Sequence, residues 1–300
     1  MDKNERAFTV VGAGRRKEPD VIPVSPWRQV MADIPRVSAV ILLLVVLGCI
    51  LAPCIANHDP EAFYLQHLNE PPNHEFYFGT DMLGRDIFSV LWYGGRLSLV
   101  IGVLATVVSS GIGMVYGCVS GTAPDWLDSA LMRIAEILCS IPYLLLQLLL
   151  LACIGQAHVI SISLVIGVTT WMNLARIVRS EVRQIRGSEY VLAARAMGGG
   201  FFYILRHHLL PNFISPVLFM LVSSIGISMT MEATLSFLGI GLPTEVTSWG
   251  TMLALSTRAL MTDSWWIIII PGCFLIITLL CITHIGHHLR REINRGSSNL

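Results

Sequence analysis

The chain has 300 residues, of which 54% are hydrophobic and only 13% charged, with zero formal net charge and a mean hydropathy of +0.66. A soluble domain carries roughly 25% charged residues, so this chain lacks the polar surface to meet water on every side. Its balanced charge supplies no overall field that would draw nucleic acid.

A helix needs about 20 mostly apolar residues to cross the hydrocarbon layer. Six stretches qualify: Ser38–Ala56, Leu97–Val119, Ser129–Ile154, Val159–Val178, Asn212–Leu238 and Trp265–Thr283. Lipid offers no partners to an open sheet edge. The expectation is therefore an all-α integral membrane protein with six transmembrane helices. Residues 1–33 form an N-terminal tail, 34–291 the membrane domain and 292–300 a C-terminal tail.

From Met1 to about Ser25 the chain is charged and carries Gly12, Gly14, Pro19 and Pro23, the composition of a mobile tail. "VLGC" at Val46–Cys49 has the look of a lipoprotein cleavage box, but a long polar stretch precedes it and five spans follow. An uncleaved first helix is expected. The seven cysteines, Cys49, Cys54, Cys118, Cys139, Cys153, Cys273 and Cys281, form no CxxC pair and read as small apolar residues of the spans.

Asp81, Arg85 and Asp86 are spaced for an exposed i,i+4 pair on a short helix, an architectural feature. In the second span Gly113, Gly117 and Gly121 recur every four residues and fall on one helical stripe. That stripe lets another backbone approach closely, so helix packing is its expected role. Arg133 and Glu136 mark an interfacial or protein-facing turn at the start of the third span. Pro142 and Pro271 are expected to interrupt the third and sixth spans, and Gly239 with Gly241 to close the fifth. Glu136 and Glu232, as carboxylates within apolar segments, are candidates for a gate or pore as well as for structure.

Lysine and arginine set the orientation. With the N-terminus in the cytoplasm, all of the 20 except Arg85, Arg96 and Arg258 fall on the cytoplasmic side or at its margin. The positive-inside rule then places both termini in the cytoplasm of a cell-membrane protein. The segment of about 179–211 hangs below the bilayer. In it a polar helix runs to Gln184 or Ile185, Gly187 and Ser188 break it, and Ser188 caps a second helix on "EYVLAARAM". Gly198–Gly200 stop that helix, and Pro211 opens the fifth span. Ala193, Ala194 and Ala196 give a smooth surface ringed by Arg195, Arg206, His207 and His208, suited to docking.

That segment resembles the "EAA" loop of binding-protein-dependent ABC importer permeases: EAA, three residues, Gly, nine residues, then I-x-L-P. The matching residues are Leu192-Ala193-Ala194, Gly198 and His208-Leu209-Leu210-Pro211, with Leu192 where the family has Glu and His208 where it often has Ile. "FGTDMLGRDIFSVLWYGGRLSL" (Phe78–Leu99) is similar to the GTDxxGRDxxS signature of the dipeptide, oligopeptide and nickel importer subfamily. "DSALMRIAEILCSIP" (Asp128–Pro142) and "EATLSFLGIGLPTEVTSWGTML" (Glu232–Leu253) add to the likeness, which covers Ile34–Arg291.

The resemblance implies an ATPase-coupling loop built on Glu189, Leu192, Ala193, Ala194, Gly198, Leu210 and Pro211. Without the family's Glu, the contact at Leu192 would be more apolar. It further implies a second permease subunit, two ATP-binding subunits and an external substrate-binding protein, with short peptides as cargo and nickel or a metal chelate as the alternative. No cofactor is expected, and no bond chemistry. Lys3 and Lys17 are the only lysines and neither follows a glycine, so no P-loop is present and ATP must be hydrolysed by another polypeptide.

Other readings compete. An ion channel or secondary transporter leaves the Ala/Gly segment unexplained. His284, His287 and His288 share one helix face at metal-ligand spacing, yet cations at a helix C-terminus fit the same residues. His58, His67 and His74 in the loop before the second span keep metal cargo open.

Overall fold

The computed structural model describes residues 35–188, 196–198, 210–243, 245–259 and 263–297. The expected N-terminal tail lies outside the described residues. Helix α1 (Arg36–Ile50) starts after Pro35, and α2 (Ala52–Ile55) is a single turn carrying Pro53 near its start. Being apolar all round, α1 leaves Val37, Val40, Leu43, Leu44 and Ile50 exposed, as a helix bathed in lipid does.

Helix α3 (Ile87–Thr122) is the longest, at 36 residues. Asp86 caps it, its carboxylate accepting from the Ser89 N–H at 2.9 Å. The expected span began at Leu97; the helix begins ten residues earlier because Asp86 supplies the start signal. Pro124 separates α3 from α4 (Asp125–Ser140), and Pro142 separates α4 from α5 (Tyr143–Ile154). A residue before proline is pushed out of the helical region, and Ile141 is extended at φ −83°, ψ 126°. The third expected span, Ser129–Ile154, is therefore two helices meeting at 86°, interrupted at Pro142 as expected. Gly155, left-handed at φ 75°, ends α5.

Helix α6 (Val159–Arg186) follows, then α7 (Leu210–Phe237), α8 (Trp249–Ala259) and α9 (Trp266–Ser297). Gly239 at φ 76° closes α7, and the Ile240 and Gly241 N–H groups return to the Leu235 carbonyl. Pro271 behaves differently from expectation: α9 runs through it unbroken. Lying within the second turn, it removes one hydrogen bond near a helix start rather than dividing a ladder.

Four of the described helices, α3, α6, α7 and α9, are long and apolar enough to cross a membrane, and the bent α4–α5 pair makes a fifth if counted as one span. Helix α1 is apolar but has 15 residues.

Helix α3 is the hub. Its start packs with α1, α7, α8 and α9 around Ile87, Leu91, Met229, Trp249 and Trp266. Ile101 and Ala105, further on, join Leu151, Ile162, Ile166 and Leu235 of α5, α6 and α7. No strand occurs among the described residues; Thr80 and Asp86 make an isolated antiparallel bridge.

Candidate coupling and translocation surfaces

Helices α3 and α6 touch through glycine. A Cβ placed on Gly113 would lie 2.9 Å from the Trp171 carbonyl oxygen, one on Gly117 2.6 Å from that of Ala175, and one on Gly121 2.7 Å from a Val182 methyl. Gly167 returns the contact from α6, where a Cβ would stand 2.9 Å from the Ala105 oxygen. Apolar burial gains little against lipid tails, so close backbone packing of this kind is what holds such a pair together.

Where α3 ends, the seam is closed by charge. Asp128 of α4 is buried and accepts from Arg179 through two bonds of 2.5 Å, from Arg183 at 2.8 Å and from the Ser120 hydroxyl at 2.5 Å. Arg183 also reaches Asp125 on the exposed side. Arg186 donates to the Thr122 and Ala123 carbonyls at 3.1 and 3.2 Å, satisfying acceptors that the end of α3 leaves free. Three helices are thus clamped immediately before the expected coupling segment.

In the sequence these arginines serve only to orient the chain. The signal was present: Asp125 and Asp128 lie three apart, and Arg179, Arg183 and Arg186 lie four and three apart, one face of a helix each.

Of the coupling residues, Glu189, Leu192, Ala193 and Ala194 lie outside the described residues, as do Arg195, Arg206, His207 and His208. Helix α6 reaches Arg186, and the Ser188 hydroxyl donates back to Ile185 O at 2.6 Å, closing α6. Met197 is 82% exposed, so a large apolar side chain stands open to a partner. Gly198 is left-handed at φ 88°, and among the described residues no atom outside its chain neighbours lies within 4 Å of where a Cβ would stand. Leu210 and Pro211 form the first turn of α7.

Glu232 is wholly buried and faces no opening. It accepts from Ser248 at 2.8 Å, Ser236 at 3.0 Å and Ser98 at 3.2 Å, which ties α7, α8 and α3 together. The Trp249 backbone N–H donates to Ser98 Oγ and its indole to the Leu91 carbonyl, locking the same junction. Glu136 is exposed on α4 and pairs with Arg133 at 3.1 Å, so the two intramembrane carboxylates do not meet.

Asp81 and Arg85 correct another expectation. They are buried rather than exposed, and lie in a turn rather than a helix, with Gly84 at φ 76° between them. The Asp81 carboxylate takes the Arg85 Nε–H at 2.8 Å and the backbone N–H groups of Leu83 and Arg85. The Trp266 indole then donates to Thr80 O at 3.2 Å, fastening this loop to α9.

His284 hydrogen-bonds to Ser38 at 2.8 Å, His67 to Glu70 at 2.9 Å, and His58 stacks on Phe76. Among the described residues no group of three or more His, Cys, Asp or Glu is placed to hold a metal ion.

A family model described as "Binding-protein-dependent transport system inner membrane component" matches residues 113–295. The chain is 35% identical over 269 residues to the dipeptide transport system permease protein DppC of Bacillus subtilis (strain 168), a match covering 89% of this chain and 84% of that protein. It is 34% identical over 299 residues to the oligopeptide transport system permease protein OppC of the same organism, covering 98% and 97%. A probable D,D-dipeptide transport system permease protein, DdpC of Escherichia coli (strain K12), is 32% identical over 264 residues, covering 88% of each chain.

Proposed function

This chain belongs to the binding-protein-dependent transport system inner membrane components, multi-pass membrane proteins, and from that premise we propose that it is the permease subunit of an ATP-driven importer of short peptides. An external binding protein delivers the peptide. A second permease subunit completes the pore, and two ATPase subunits grip the segment of about 179–211 from the cytoplasm, where both termini also lie. Six spans, with α1 the first and the bent α4–α5 pair the third, make up its half of the pore.

The observation that carries this reading is the clamp ahead of the coupling segment. A force applied below Arg186 reaches α3, α4 and α6 together through Asp128, so the helices move as one body. Rigid-body motion of that kind is how alternating access works. The peptide systems of the relatives named above support the cargo.

The test is uptake of labelled di- and tripeptides into proteoliposomes holding this chain with a second permease subunit, ATPase subunits and a binding protein from the same organism. Uptake that requires ATP and the ATPase subunits is expected. Vectorial uptake by this chain without any ATPase would overturn the proposal.

A further inference from the structure

Helix α6 exposes two different faces along its length. Near its start the exposed residues are Ile160, Leu164 and Val168. Further on they are Asn173, Arg176, Ser180 and Gln184, spaced three and four apart on one stripe, while Met172 and Ala175 face inward against Ala135. Arg176 is the first charged side chain met along the helix, about 25 Å from Val159. Arg176 thus stands at the cytoplasmic margin of the span, and Ser180 and Gln184 continue the stripe below it.

The break between α4 and α5 lies beside this stripe. Gln147 of α5 covers Thr169, its amide donating to the hydroxyl at 3.0 Å. One turn further along α6, the bend at Ile141–Pro142 takes the cover away. There Arg176 donates to the Cys139 sulfur at 2.7 Å, and Asn173 donates to the Tyr143 hydroxyl at 3.5 Å. Thiol sulfur is a weak acceptor for a guanidinium, which presents five donors in a planar fork. Among the described residues Arg176 pairs with no carboxylate; Arg85, Arg133, Arg179 and Arg183 each do, while Arg96 and Arg186 are taken up by backbone carbonyls and Arg290 lies over the Phe219 ring.

We infer that Arg176, flanked by Asn173 and Tyr143 in the notch of the broken helix, is a station for the carboxylate of the transported solute. The inference rests on the importer reading above. An open guanidinium fork matches a carboxylate in two parallel bonds, and the free C-terminal carboxylate is the anionic group that short peptides share regardless of side chains. Recognition of this kind passes many sequences through one path, and a bare divalent cation would be repelled from it.

Two measurements test it. In the assembled complex, uptake of free-acid dipeptide is compared with uptake of the same dipeptide amidated at its C-terminus. Arg176→Gln is expected to lower the ratio of free-acid to amidated uptake about tenfold, the loss of one charge-assisted contact. Arg176→Lys, which keeps the charge, should recover part of it, and Arg133→Gln on the neighbouring helix should leave the ratio alone. A ratio unchanged by Arg176→Gln overturns the inference.

The second measurement needs no binding protein. Maleimide labelling of Cys139 in the purified complex, read by peptide mass spectrometry, should slow with millimolar free-acid dipeptide and not with the amide, and the protection should vanish in Arg176→Gln. Equal protection by both peptides, or by neither, overturns the station. So does loss of the second permease on purification of Arg176→Gln, which would assign the arginine to the subunit interface. Absence of ATP-driven uptake of every peptide would instead sink the importer reading, with Cys139 protection still deciding the station.

Discussion

Arg179 and Asp128, 51 positions apart in the chain, meet through two hydrogen bonds of 2.5 Å, one from each of two guanidinium nitrogens to each carboxylate oxygen. The carboxylate is buried and the arginine partly open, so the pair sits at a margin where its desolvation is incomplete. Removing the arginine leaves Asp128 inside with Arg183 and Ser120 alone. Arg179→Met is expected to destabilise the chain by about 2 kcal/mol, below the full 3–5 of a buried pair because those partners remain. Thermal unfolding in detergent measures it, and Arg179→Lys should lose less than Met.

The α3–α6 seam predicts opposite outcomes for two glycines of one helix. At Gly117 a Cβ would press on the Ala175 carbonyl at 2.6 Å, and backbone does not give way cheaply. Gly117→Ala should cost about 2 kcal/mol by overpacking. At Gly111 nothing lies within 4 Å, and Gly111→Ala should be neutral or stabilise the helix by about 0.5–1 kcal/mol. Melting curves of the two variants side by side decide the point.

Glu232 sits at a buried junction of serines, and the readings of it as a junction and as a gate diverge under substitution. Glu232→Gln keeps an acceptor oxygen for the serines and should retain assembly and most transport. Glu232→Leu leaves Ser98, Ser236 and Ser248 facing an apolar group, at a cost of about 1–3 kcal/mol for each hydroxyl left unpaired. Detergent stability and uptake should fall together. A Leu variant of normal stability whose uptake alone collapsed would restore the gate.

Gly198 tests the coupling segment. Its backbone is left-handed, so any side chain adds roughly 1–2 kcal/mol of local strain, while no described residue crowds the position. Gly198→Ala should therefore be tolerated in membrane insertion and mildly reduce coupling. Gly198→Arg should insert normally, lose the ATPase subunits on co-purification and lose uptake. Normal uptake with normal ATPase association in the Arg variant would remove Gly198 from the docking surface.

Local rules carried the reading of the fold wherever one helix explained itself. The spacing of Gly113, Gly117 and Gly121 announced a close approach because a stripe on one helix needs no knowledge of its partner. The family blocks were legible for the same reason. What stayed hidden depended on two segments meeting. Asp128 and Arg179 look like ordinary polar ends until α4 and α6 lie against each other, and Asp81 with Arg85 looked exposed until the loop folded onto itself. Glu232 stood out as a carboxylate among apolar residues, but of its three serines only Ser236 is on its own helix, and Ser98 and Ser248 come from distant segments. Pro142 and Pro271 carried the same signal and behaved differently, since position within the helix decides what a missing N–H costs.

The unbroken run of α6 from Val159 to Arg186 makes it a rod about 42 Å long. Shortening or twisting such a rod would mean breaking its internal bonds, so a tug at Ser188 is felt undiminished at His158. The neighbouring α4 is pinned to that rod at Asp128, while beyond the 86° bend at Pro142 α5 takes its own direction. The fold therefore pairs a stiff transmission shaft with an angled companion fastened to it at one end, and Arg176 stands beside the corner.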